Sequence, residues 1–136
     1  MATVKTVYLG DLRTQAEHLQ SGTQIITDAP VDNQGKGEAF SPTDLLATAL
    51  GSCMMTIMGI VAQRDGVNFE GTSFETTKIM SQELPRRVVR IEVNFTMVTA
   101  EPLTEEVQKK FERAAYTCPV ALSIHPDIEQ VVTFNW

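Results

Sequence analysis

Ser41-Pro42-Thr43-Asp44-Leu45-Leu46-Ala47-Thr48-Ala49-Leu50-Gly51-Ser52-Cys53 opens the longest apolar run of the chain. Ser41 is suited to cap the free N–H groups of a first helical turn. Pro42 fits the first helical position, and Asp44 completes a capping-box pattern. No charged residue follows until Arg64, so a helix is expected from Pro42 to about Gln63, buried on most of its sides. Cys53 falls on its stripe of Leu46, Ala49, Leu50, Ile57 and Ile60. The small residues Thr48, Ser52, Thr56 and Gly59 recur at near-helical spacing and are expected to let the helix pack closely. Residues 45–62 match the shortest membrane spans in length. The polar and small residues within the run, the cap before it and Gln63-Arg64-Asp65-Gly66 after it favour the core helix of a soluble protein instead.

Upstream, residues 4–9 alternate with period two and end at a Gly10-Asp11 turn. Residues 14–20 and 24–27 follow, separated by Ser21-Gly22. These three segments predict an antiparallel meander. Residues 28–40 hold Pro30, Asp32, Asn33, Gly35 and Gly37 and read as loop; Gly35-Lys36-Gly37 lacks the strand–loop–helix setting of a phosphate site. Downstream, two strands are expected at 68–80 and 88–98, joined by Leu84-Pro85-Arg86, as a second antiparallel sheet. A helix begins at Thr104 with Glu105 and Glu106 in its first turn, where carboxylates suit the dipole. Cys118-Pro119 starts a short third helix ending near His125-Pro126, and residues 128–134 form a last strand. This order lacks regular βαβ alternation and predicts an α+β domain spanning residues 1–136.

Composition narrows the function classes. With 136 residues, 43% hydrophobic and 21% charged, the chain has one domain's length and ample core material. Its net charge of −6 and scattered Lys and Arg oppose nucleic-acid binding, which needs a basic patch. The N-terminal residues lack a signal-peptide apolar region, so a cytoplasmic protein free of membrane is expected. His18 and His125 stand far apart with no Cys-x-x-Cys or His-x-x-x-His spacing, and no metal is expected. Met54, Met55 and Met58 read as core filler, with a pliable wall for an apolar ligand as the alternative.

Cys53 and Cys118 are the only cysteines, 118 − 53 = 65 positions apart. A permanent bridge would stabilise by about 4 kcal/mol but is disfavoured in a reducing compartment. Two inert thiols or a redox pair remain. Cys118 at a helix start is expected to favour thiolate. Cys53, among apolar neighbours, needs a cation from elsewhere to become a nucleophile.

The run from Ser41 to Cys53, together with Cys118-Pro119-Val120-Ala121-Leu122-Ser123-Ile124-His125-Pro126, resembles the two cysteine motifs of the OsmC/Ohr family of thiol-dependent peroxidases. That resemblance implies an OsmC-like fold in an intertwined homodimer with active sites at the subunit interface. It implies that Cys53 attacks an organic hydroperoxide and becomes a sulfenic acid. Cys118 then resolves it as a disulfide, which a dithiol such as a lipoyl protein reduces, without metal or organic cofactor. Arg13 is the match for the family's thiolate-holding arginine. Peroxidase members carry Glu or Gln ten residues before the first cysteine, where this chain has Thr43; Asp44 and Glu38 are the carboxylates expected to orient Arg13 in its place. The alternatives on the same fold are a non-catalytic binder of a small hydrophobic ligand and a redox-sensing stress protein.

Overall fold

The computed structural model describes residues 1–136, which divide into two compact units, Met1–Leu46 and Ala47–Trp136. The first unit is the expected meander. Strands β1 (Val4–Gly10), β2 (Arg13–His18) and β3 (Gln24–Asp28) form an antiparallel sheet in that order. The β1–β2 turn places Gly10, Asp11 and Leu12 in the left-handed region, at φ 85°, 53° and 63°. That tight reversal starts β2 directly at Arg13. After β3 the chain makes a short 3-10 turn at Val31–Asn33 and folds back, so that Thr27 and Phe40 form an isolated bridge. Gly35 makes this return possible: a Cβ there would lie 1.7 Å from the Ala29 carbonyl oxygen.

Helix α1 (Pro42–Asp65) starts where the sequence predicts. The Asp44 N–H donates to Ser41 Oγ at 3.0 Å and the Ser41 N–H to Asp44 Oδ2 at 2.9 Å, which is the capping box. By length and composition α1 is apolar enough to cross a membrane.

In the second unit, β4 (Ser73–Met80) and β5 (Val88–Thr96) pair antiparallel, α2 (Glu105–Ala115) and α3 (Pro119–Ser123) follow, and β6 (Glu129–Asn135) completes the sheet β4-β5-β6. The β4–β5 pair is the expected antiparallel one, and β6, for which no pairing was expected, joins it parallel to β5. Two helices lie between these strands, and a crossover of that length returns the chain in its original direction, as a hairpin cannot. Thr104 caps α2 by accepting the Val107 N–H at 3.3 Å.

The core of this unit is apolar. On α1 the buried stripe is Ala47, Leu50, Gly51, Met54, Met58, Val61 and Ala62, spaced three and four apart as one helical face requires. The sheet contributes Val88, Ile91, Val93 and Phe95, and α2 contributes Phe111 and Ala115. Phe69 meets Phe111 edge-on at 4.8 Å, and Phe95 stacks on Phe134 at 5.3 Å.

Two expectations about α1 are corrected. It is buried along one stripe rather than on most sides: Thr48, Ala49, Ser52 and Thr56 are exposed, and Ile60 is half exposed. The close packing comes from Gly51, where a Cβ would meet the Phe74 ring at 2.8 Å, whereas Gly59 has nothing within 4 Å. The 3.6-residue period fixes which residues share a face but not which of two apolar faces the sheet covers.

Candidate active site

The thiols lie together in the second unit. Cys53 follows Gly51 on α1 and is half-buried; Cys118 is fully buried, and neither is in a disulfide. Cys118 is the N-cap of α3, and its sulfur accepts the Ala121 N–H at 3.3 Å. It is a neighbour of Cys53, close enough for the two thiols to act on each other electrostatically.

The expectation that Cys118 favours thiolate is overturned. Burial pushes its pKa up, and the hydrogen bond and charge of Cys53 add to that, while the Ala121 and Val120 N–H groups oppose it. A five-residue helix offers too little dipole to outweigh desolvation. Burial and the neighbouring Cys53 thus both favour the protonated form of Cys118. Of the pair, the half-buried sulfur is the one open to a reagent. Were it oxidised, the sheltered thiol would be its nearest partner for a disulfide.

The charged residues lie together in the first unit. Arg13 and Asp28 are opposite each other across the β2–β3 pair. The Arg13 Nε–H donates to Asp28 Oδ1 at 2.7 Å and Nη2–H to Oδ2 at 2.8 Å, a two-pronged ion pair. Nη2 also donates to Glu38 Oε2 at 3.1 Å. Asp28 is 1% exposed and Glu38 65%. The Glu38 N–H donates to Asp28 Oδ2 at 3.1 Å, so the returning loop closes on the same carboxylate. The hydrogen bonds to Asp28 and Glu38 raise the Arg13 pKa, and the guanidinium holds the Asp28 carboxyl below its usual value. This cation is permanent and its fork is held rigidly.

Of the two carboxylates expected to orient Arg13, Glu38 reaches it directly. Asp44 closes the capping box of α1, and the Thr43 hydroxyl lies 3.2 Å from Ser41 Oγ in that same first turn. No group of three or more His, Cys, Asp or Glu side chains is gathered to hold a metal. His18 pairs with Ser21 and His125 with Asp127. Met54 and Met58 are fully buried in the core. The second unit's surface groove, about 470 Å³, is instead lined by Ser52, Met55, Thr56, Gly59, Phe69 and Phe74 among others.

Residues 35–132 match the profile of the OsmC-like protein family. The chain belongs to the OsmC-like family. It is 57% identical to a Psychrobacter arcticus 273-4 protein named for osmotic stress induction and a detoxification response. The match covers 98% of this chain and 96% of that one, with a TM-score of 0.93. An OsmC-like protein of Vibrio cholerae O1 biovar eltor shares the fold at 14% identity, covering 97% and 99% of the two chains with a TM-score of 0.79. A Legionella pneumophila organic hydroperoxide resistance protein shares it at 15% identity, covering 100% and 98% with a TM-score of 0.72. No curated protein matches the chain. Within this OsmC-like chain the family match takes in Glu38, Asp44, Cys53 and Cys118, while Arg13 and Asp28 precede it.

Asp28 is the residue that sequence reasoning missed. The expected strands began at 14 and ended at 27, leaving Arg13 and Asp28 just outside both. Extending each strand by one residue sets an arginine opposite an aspartate, and that juxtaposition is the signal.

Proposed function

We propose that this OsmC-like protein is a thiol-dependent peroxidase of organic hydroperoxides. The observation that carries the proposal is that the two cysteines are neighbours, half-buried Cys53 beside fully buried Cys118, each acting on the other. In the reaction, the Cys53 thiolate attacks the O–O bond and becomes a sulfenic acid, and the departing alkoxide takes a proton and leaves as the alcohol. The Cys118 thiol then attacks the sulfenic sulfur, releasing water and forming the Cys53–Cys118 disulfide. A dithiol, such as a lipoyl protein, reduces the disulfide and is itself oxidised to a disulfide. Arg13, from the same chain or from a second copy, supplies the cation that keeps Cys53 ionised.

The working form on this reading is a cytoplasmic homodimer. Every buried side chain of the first unit is polar, while Val4, Val7, Tyr8, Leu9, Ile25 and Ile26 are all at least 40% exposed. An exposed apolar sheet of this kind calls for a cover. Together with the uncovered face of α1, this favours a second copy, and light scattering showing a stable folded monomer would count against it. Binding of a small hydrophobic ligand has weaker support, since Met54 and Met58 are closed in the core.

The test is consumption of cumene hydroperoxide with dihydrolipoamide as reductant. Wild type is expected to turn over and Cys53→Ser to be inactive. Cys118→Ser is expected to consume about one equivalent and then stall. Turnover that survives in Cys53→Ser would overturn the proposal.

A further inference from the structure

We infer that Asp28 is the positioning residue for Arg13, holding the guanidinium so that Nη1 is the edge left free to engage a thiolate or a peroxide. This rests on Arg13 being the cation that activates Cys53. The guanidinium carries five N–H donors in a rigid plane. Asp28 takes one from Nε and one from Nη2, and Glu38 takes a further one from Nη2. Nη1 makes no hydrogen bond and no ion pair, so its two donors remain for an anionic or peroxidic oxygen or a thiolate.

The two carboxylates are not equivalent in this task. Asp28 is buried, sits opposite Arg13 in the strand register, and its second oxygen is also tied to the Glu38 N–H. Its backbone is fixed as well: its N–H donates to the Phe40 carbonyl at 3.0 Å. Glu38 offers a single oxygen from an exposed side chain. A two-pronged grip through Nε and Nη2 sets the plane of the guanidinium, which a single contact cannot do. Lys36, the other cation acting on Asp28, does so only through space. The sheet thus selects which edge of Arg13 is offered, and the loop carboxylate adds to a geometry already set.

The experiment compares Asp28→Asn, Glu38→Gln and Arg13→Ala in the full-length protein. The pH profile of Cys53 alkylation by iodoacetamide is followed by peptide mass mapping, and folding is checked by circular dichroism. In Asp28→Asn the amide oxygen can serve the two donors at the Oδ2 position, which leaves the NH₂ facing Nε–H, donor against donor, so one prong is lost. Its profile is expected to move up by about one pH unit, equivalent to about tenfold slower alkylation at neutral pH. Glu38→Gln is expected to slow alkylation by about threefold at most. A purely structural role for Asp28 would lower thermal stability and leave the profile in place. A folded Asp28→Asn with the wild-type profile, beside a displaced Arg13→Ala, overturns the role of Asp28 alone. An undisplaced Arg13→Ala overturns the role of Arg13, and that of Asp28 with it. Should Asp28→Asn not fold, nitrogen-15 spectra of the Arg13 guanidinium in wild type and in Glu38→Gln decide. Hindered, slowly exchanging Nε–H and Nη2 signals in both are expected, and signals averaged by free rotation in either protein overturn the inference.

Discussion

The two units of this OsmC-like chain are built on opposite principles. In Met1–Leu46 the buried side chains are Thr27, Asp28 and Ser41, all polar, and Val4, Val7, Tyr8, Leu9, Ile25 and Ile26 are exposed. In Ala47–Trp136 every buried side chain is apolar, and Cys118 is among them. The first unit is shaped by directional contacts: a strand register, a two-pronged ion pair and a glycine-closed loop. The second is shaped by the non-directional burial of Leu50, Met54, Ile91, Phe95 and Phe111. The chemistry follows this division. The permanent cation of the first unit is oriented by carboxylates, and the buried thiol of the second lies in an apolar setting that favours its protonated form.

The contrast can be broken most severely in the second unit. Phe111→Ala removes a ring packed between Phe69 and Trp136 and is expected to cost about 3–5 kcal/mol in a denaturant titration. Gly35→Ala attacks the first unit instead. Its methyl group collides with the Ala29 carbonyl, and overpacking of this kind costs about 1–3 kcal/mol. It is also expected to detach Glu38 from Arg13, visible as a change in the Arg13 guanidinium spectrum. Ser41→Ala removes one half of the α1 capping box and is expected to cost about 1 kcal/mol, read as a lower Tm with the Cys53 alkylation rate unchanged.

The gentlest perturbation is pH, and the two units should respond at opposite ends. The folded Asp28 carboxyl lies below its unfolded value, which is about 3.9. Its contribution is present above that value and is lost as pH falls through the folded pKa. The folded Cys118 thiol lies above its unfolded value, about 8.5. That contribution is complete below 8.5 and is lost as pH rises through the folded pKa. Thermal melts across pH should therefore lose an Asp28-dependent part in acid, absent from Asp28→Asn. They should lose a Cys118-dependent part in base, absent from Cys118→Ser.

Legibility in the sequence follows the same division. The α1 start could be read because Ser41, Pro42 and Asp44 carry a local signal, and Thr104 marked the α2 start in the same way. The two cysteine motifs are contiguous, so the thiol pair was visible as a candidate. The Arg13–Asp28 clamp was not, since it depends on the register of two strands whose ends lie within a residue of the expected ones. The parallel pairing of β6 escaped for a related reason: a crossover is a property of the sheet, and no residue within 128–134 encodes it. Which face of α1 the sheet covers was decided by Phe74 and Thr76 meeting Gly51, a tertiary contact that helical periodicity cannot supply.

The most direct test of the thiol chemistry is to treat the fully reduced protein with one equivalent of cumene hydroperoxide per chain, without reductant. The free thiols are then counted and the intact mass measured. The expected result is loss of both thiols, a mass lower by two hydrogens, and a peptide map linking Cys53 to Cys118 within one chain. Retention of both thiols, or oxidation of Cys53 with Cys118 left free and no disulfide formed, would contradict a peroxidase built on this pair.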